Sequence, residues 1–231
     1  MKAIIRAFKK AVELDSLTHK HLITKMPENY LFMKDVEIVP LTYSEILSAT
    51  MYYPVMFGVQ ENVVFPFAVI GINGRNLFLN DDGSWKVEVI PNVCKHYPFG
   101  VLKKNGEYSI IYDESYIISE GVRIFDDEGR ETEFFSKIKL NLIELARDFN
   151  DALECSKELL ERGCLKLLNL EVDTKAGKMQ FRNMLIANIE NITKLQPEKL
   201  YSLNAKGYLL ILHAQYLSLR NFKLFDIFVN Y

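Results

Sequence analysis

One apolar period governs what this chain can become. Phe135, Ile138, Leu142, Leu145, Phe149, Ala152 and Leu159 recur at spacings of three, four or seven, which aligns them on one face of a long helix from Thr132 to Arg162. Gly163 follows, the residue type that most easily takes the left-handed conformation ending a helix. The segment before this helix has a different rhythm. Between residues 60 and 125, "VVFPFAVIGI", "RNLFLN", "WKVEVIP", "YSIIYD", "YIISE" and "VRIFD" are short, aromatic and β-branched, and they predict strands. Asn80-Asp81-Asp82-Gly83 and Asp126-Asp127-Glu128-Gly129 predict turns between them. Neither has the spacing of a calcium-binding loop.

After the long helix, "CLKLLNLEVD" alternates as a strand does and Ala176-Gly177 turns the chain. "MQFRNMLIANIENI" then predicts a strand running into a helix, and the C-terminal stretch predicts two helices, one opened by Pro197 and one after Gly207. Near the start, residues 2–14 place Ile4, Ile5, Phe8, Ala11 and Val12 on one helical face among Lys2, Arg6, Lys9 and Lys10. This predicts a basic amphipathic helix that docks on its own domain or lies on an anionic membrane. A short strand is expected near 36–40. A helix over 42–51 is expected next, capped by Thr42 or Ser44 and stopped by Pro54.

The resulting class is α+β: an antiparallel β-rich centre flanked by an N-terminal helical segment, one long central helix and C-terminal helices. The chain is expected to form a single unit over 1–231, or two tightly packed lobes, 1–131 β-rich and 132–231 mainly helical.

Charge narrows the function classes. The net charge is −2, with six basic and two acidic residues in 1–25, five and two in 194–231, and an acidic remainder. Basic ends around an acidic middle pair with each other or face an anionic partner; nothing in the total calls for nucleic acid. Cys94, Cys155 and Cys164 are few, odd in number and without a CxxC pair, so reduced thiols are expected in place of disulfides or a thiolate zinc site. The N-terminus lacks the pattern of a secretory leader, and no stretch predicts a transmembrane helix. A cytoplasmic location is the expectation, with leaderless export to the cell surface as the alternative.

Phosphate-cradling, zinc-hydrolase and serine-hydrolase motifs are missing, so no cofactor or metal is expected. His19 and His21 flank Lys20, and two imidazoles there could begin a metal site completed by His213 and Glu45, but their spacing does not bring the four together, and exposed or hydrogen-bonded histidines are the expectation. "CKHYPF" puts Cys94 two residues from His96, a pairing able to activate a thiol if the two meet in space. Tyr-Pro occurs at 53–54 and 97–98, and these paired aromatic turns either line a peptide groove or anchor strand entrances in the core.

Several segments taken in order resemble the SapC family, proteins associated with bacterial surface layers. They are "LTHKHLITK", "VEIVPLTYSEILSATMYYPVMF", "NLFLNDDGSWKVEVIPNVCKHYPFGVL", "FDDEGRETEFF" and "AKGYLLILHAQYLSLRNF", spanning about residue 14 to residue 224. His19, Glu45, Tyr53, Pro54, Trp85, Tyr97, Pro98, Phe99, His213 and Ser218 are among the matching positions. His96 stands where the family more often has a basic residue, and Cys94 lies outside its pattern. The resemblance implies a role tied to a surface layer or its export, with no reaction or catalytic residue to carry over. The leading expectation is an accessory protein that binds a surface-layer protein or its export machinery, with Tyr53, Pro54, Trp85, Tyr97, Pro98 and Phe99 as candidate binding residues. The alternative is an enzyme modifying a surface protein through His19, Glu45 and His213.

Overall fold

The computed structural model describes residues 7–104 and 106–229. Its largest sheet is antiparallel, in the spatial order β11 (Leu165–Thr174), β12 (Gly177–Ala187), β4 (Val55–Gln60), β5 (Val63–Val69) and β3 (Ile38–Pro40). A second sheet orders β1 (Ala11–Glu13), β9 (Glu107–Asp113) and β8 (Phe99–Lys104). Two short pairs complete the strands: β2 (Ile23–Thr24) with β10 (Val122–Arg123), and β6 (Gly71–Ile72) with β7 (Arg75–Asn76). Both sheets are open, and the five-stranded one draws strands from both sides of residue 132.

Six α-helices accompany the sheets among the described residues: α1 (Ile46–Thr50), α2 (Glu133–Glu161), α3 (Ile189–Ile192), α4 (Pro197–Ala205), α5 (Tyr208–Ser218) and α6 (Lys223–Phe228). The long helix α2 forms where its period predicts. Thr132 caps it, accepting from the N–H of Phe135, and Gly163 follows at φ +68°. Its apolar stripe serves two cores in succession. Phe135, Ile138 and Leu142 pack with Phe99, Ile110, Tyr112, Ile124 and Phe125 of the small-sheet side. One end further on, Cys155 and Leu159 join the large cluster around β4 and β5. Burying a large apolar side chain contributes about 1.5–3 kcal/mol, so the helix ties the two cores together strongly.

The N-terminal segment departs from its predicted helix. Residues 1–6 lie outside the described part, and Ala11–Glu13 form strand β1, pairing antiparallel with β9 at Ala11↔Asp113 and Glu13↔Ile111. The free edge of β9 supplies ladder hydrogen bonds that a helical period cannot reveal. Phe8 still finds an apolar site, edge-on to Tyr97 at 5.5 Å between ring centres.

Two other predicted strands are absent. Trp85 makes one isolated bridge with Leu79, and residues 86–91 then follow the core irregularly, Val89 C=O accepting from the Tyr53 hydroxyl and Lys86 N–H donating to Phe78 C=O. Among the described residues this run forms no ladder. "YIISE" is likewise irregular, and "RNLFLN" is a strand only at β7.

Candidate functional site

The outward face of two neighbouring helices is the most distinctive surface. A 3-10 turn at Tyr43–Glu45 leads into α1, and α1 runs beside α5 with both ends fastened. At one end the Tyr43 hydroxyl donates to Lys206 C=O at 3.2 Å, and its ring stands edge-on to Tyr208. At the other, Asn221 Nδ2 donates to Thr50 C=O at 2.9 Å and Tyr53 C=O at 3.2 Å.

The inward face of α5 is fixed by polar groups within the core. Buried Gln215 donates from Nε2 to Val55 C=O at 2.8 Å and accepts from Ala187 N–H through Oε1 at 2.8 Å. Buried Ser218 accepts from Val55 N–H at 3.0 Å and donates to Gln215 C=O at 2.6 Å. These bonds clamp α5 onto β4 and β12 and set which side faces out.

That outer side is apolar. Leu210, His213, Tyr216 and Leu217 fall on one helical face of α5, and Leu47 of α1 and Met51 at its C-cap are one turn apart. Met51 is 69% exposed, and Leu210 and Leu217 are 60% each. Single exposed leucines are ordinary; here several stand on two neighbouring helices.

The carboxylate of Glu45 lies beneath α1. Its Oε1 accepts from Thr42 N–H at 2.8 Å and Thr42 Oγ1 at 3.0 Å, while Oε2 accepts from Asn92 N–H at 2.6 Å. Burial pushes this carboxyl up, against the opposing pull of the Thr42 and Asn92 donors. The arrangement is a capping box extended to a second segment, and it staples the turn before α1 to the 3-10 turn Asn92–His96.

The candidate aromatics are mainly interior. Tyr53 is fully buried; it donates to Val89 C=O and accepts from Trp85 Nε1 at 2.6 Å. Burial drives its phenol well above the usual range. Pro54 C=O accepts from Val69 N–H as the chain enters β4. Tyr97 stacks on Phe32 at 4.0 Å, Phe99 packs among Tyr112 and Phe135, and Pro98 C=O accepts from Asp113 N–H. Both Tyr-Pro turns are buried, at the entrances of β4 and β8.

A third polar cluster holds β1 in place. Asp113 is fully buried, and its carboxylate accepts from Lys9 N–H at 3.0 Å, Lys10 N–H at 2.9 Å, Ser115 N–H at 3.1 Å, Ser115 Oγ at 2.7 Å and the Tyr97 hydroxyl at 3.1 Å. Burial alone raises its carboxyl, but the donors of Ser115, Lys9 and Lys10 together outweigh it and hold it below the ordinary range. His19 meets this cluster through Glu114, the residue after Asp113: its Nδ1 receives Asp15 N–H at 3.2 Å, and its buried Nε2, without a hydrogen bond among the described residues, stands 3.7 Å from Glu114 Oε1.

The predicted set of His19, Glu45 and His213 is therefore spread over three places. His19 faces Asp15 and Glu114, Glu45 faces Thr42 and Asn92, and His213 is exposed on α5. Among the described residues no hydrogen bond or ion pair joins the three, and no group of three or more His, Cys, Asp or Glu side chains is placed to hold a metal ion. Asp113 and Gln215 escaped the sequence reading. The Asp113-x-Ser115 spacing is a signal for the first, since a carboxylate there closes a turn on the backbone two residues on. Gln215 shows only as a polar residue inside an apolar helical run.

All three cysteines are buried and unpaired. Burial pushes the Cys94 thiol far up and that of Cys155 up to about 12. Since the thiolate is the reactive form, a thiol reagent at neutral pH is expected to label none of the three in the folded chain and all three in denaturant. Rapid labelling of Cys94 in the native protein contradicts the buried placement.

The SapC family model matches residues 14–224. No curated protein and no solved structure matches the chain.

Proposed function

This chain belongs to the SapC family, and from that premise we propose that it is a non-enzymatic accessory protein that binds a surface-layer protein or a component of its export machinery. The observation that carries this reading is the apolar outer face of α1 and α5, where Leu47, Met51, Leu210, Tyr216 and Leu217 stand in solvent. The rigid clamp beneath it by Gln215 and Ser218 supports the same role, because a preformed surface loses less freedom on binding.

The chain acts as one unit in this reading, since α2 belongs to both cores. It works on the cytosolic side of the membrane; three buried, unpaired thiols suit a reducing compartment. No described helix is long and apolar enough to cross a membrane. A reading as a protein-modifying enzyme needs Glu45 free to meet His19 or His213, and both of its carboxylate oxygens already hold Thr42 and Asn92.

The test uses the double variant Leu210→Glu/Leu217→Glu. Both side chains are exposed, so stability is expected to stay within about 0.5 kcal/mol per site. Capture of the purified surface-layer protein by the immobilised chain is expected to fall at least about tenfold, the loss of two apolar anchors in a contact. Equal capture by parent and variant contradicts this face as the binding surface.

A further inference from the structure

A cleft between β8 and α2 combines an apolar trough with a polar end. The sequence pattern builds it from both sides. Phe99, Val101 and Lys103 alternate on one face of β8, and Tyr108 of β9 is the cross-strand partner of Lys103. Opposite them, Leu142, Leu145, Ala146, Phe149 and Asn150 are spaced three and four apart, so they form one stripe of α2. Both stripes change from apolar to polar at the same end. There Asn150 Nδ2 donates to the Tyr108 hydroxyl at 3.0 Å, and Lys103 Nζ stands 5.7 Å from the Tyr108 ring centre.

The cavity measures about 60 Å³ and is partly open to solvent. This is under half of the ~150 Å³ pocket that admits benzene, so the enclosed part takes a stretch of a few methylenes, not a ring, and the open side lets a longer tail continue along the surface. The polar end has unused capacity. The Tyr108 oxygen accepts from Asn150 while its own proton stays available to donate. Lys103 Nζ makes no ion pair among the described residues; its neighbour Lys104 is the one that faces Glu13, at 4.0 Å. Apolar length, then a hydroxyl donor and an ammonium, is complementary to an aliphatic carboxylate.

We propose that the cleft between β8 and α2 binds an aliphatic carboxylate of short to medium chain length. Its tail lies among Phe99, Val101, Leu142, Leu145 and Phe149, and its carboxylate meets Lys103 Nζ and the Tyr108 hydroxyl. This site is separate from the α1–α5 face and stands whether or not that face binds a surface-layer protein.

The probes are octanoate and octan-1-ol, titrated into the full chain and followed by backbone amide chemical shifts. Octanoate is expected to produce saturable shifts centred on Val101, Leu142 and Phe149. It is expected to bind about two- to fivefold more tightly than octanol, the size of one exposed charge contact at low salt. Lys103→Gln is expected to erase that difference, and Ala146→Trp, which fills the trough, is expected to abolish binding of both. Lys103 is exposed, so its variant keeps the experiment decisive if Ala146→Trp does not fold. No saturable shift at millimolar octanoate overturns the proposal. So do equal affinities for octanoate and octanol in the parent chain, or octanoate binding that survives in a folded Ala146→Trp.

Discussion

Asp113→Ala is expected to destabilise the protein by about 3–4 kcal/mol, because removing a buried acceptor leaves its donors desolvated at roughly 1–3 kcal/mol each where no water replaces it. Five donors converge on this carboxylate, three of them backbone N–H groups of Lys9, Lys10 and Ser115. For a chain of this length that corresponds to a fall in Tm of roughly 6–16 °C. The loss is expected to be local first: amide exchange at Lys9–Glu13 rises, since the ladder between β1 and β9 is short and this carboxylate holds the backbone just before it. A Tm within about 2 °C of the parent contradicts the assignment. The pH dependence has a definite sign. Asp113 is held below its ordinary value of 3.8, so its contribution is complete above that pH and is lost as pH falls through the lower folded value. The stability gap between the parent and Asp113→Asn is therefore expected to be wide at neutral pH and to narrow in acid.

Glu45→Leu is the second large effect, with an expected cost of about 2–4 kcal/mol from the stranded donors of Thr42 and Asn92. Thr42 is fully buried, so water cannot readily replace the carboxylate there. Glu45→Gln keeps one acceptor for Thr42 but turns an amide N–H₂ toward Asn92 N–H, and is expected to cost about 1–2 kcal/mol. Here the pH sign reverses. Burial raises the Glu45 carboxyl above its ordinary 4.5, so its contribution is complete below that pH and is lost as pH rises through the folded value. The gap between the parent and Glu45→Gln is expected to be widest in acid and to shrink toward neutrality, opposite to the Asp113 pair. Urea melts of both pairs at acidic and neutral pH check the two signs side by side, and parallel trends contradict one of the two placements.

The opposite surroundings of these two carboxyls show how far residue identity alone reaches. The long helix α2 was legible because an amphipathic period over nearly thirty residues has few other solutions, and Thr132 and Gly163 mark its ends. Pro54 as a helix exit and Gly83 and Gly129 as turns were legible for the same local reason, and both glycines take positive φ. Strand β1 was not legible. Its helical period is real, but pairing with a strand about a hundred residues away overrides it. The irregular run from Trp85 to Pro91 was hidden likewise, since Tyr53 satisfies part of its backbone.

The candidate site residues divide the same way. Thr42-x-x-Glu45 has capping-box spacing, a local signal that points to structure, yet Glu45 also stood out as a titratable group of interest. Only its burial and three donors separate the two roles. The exposed apolar face was invisible for a simpler reason: Leu210 and Leu217 differ from Ile211 and Leu212 only in the side of α5 they occupy, and Gln215 and Ser218 decide that side.

The most direct test of the account places a photo-crosslinking residue at Leu217 on α5 and, in a separate chain, at Lys178, beside the turn of the β11–β12 hairpin. With the purified surface-layer protein present, irradiation is expected to give a crosslinked adduct from position 217 and none from position 178. An adduct from 178 alone, from both positions equally, or from neither contradicts the α1–α5 face as the place where this protein meets its partner.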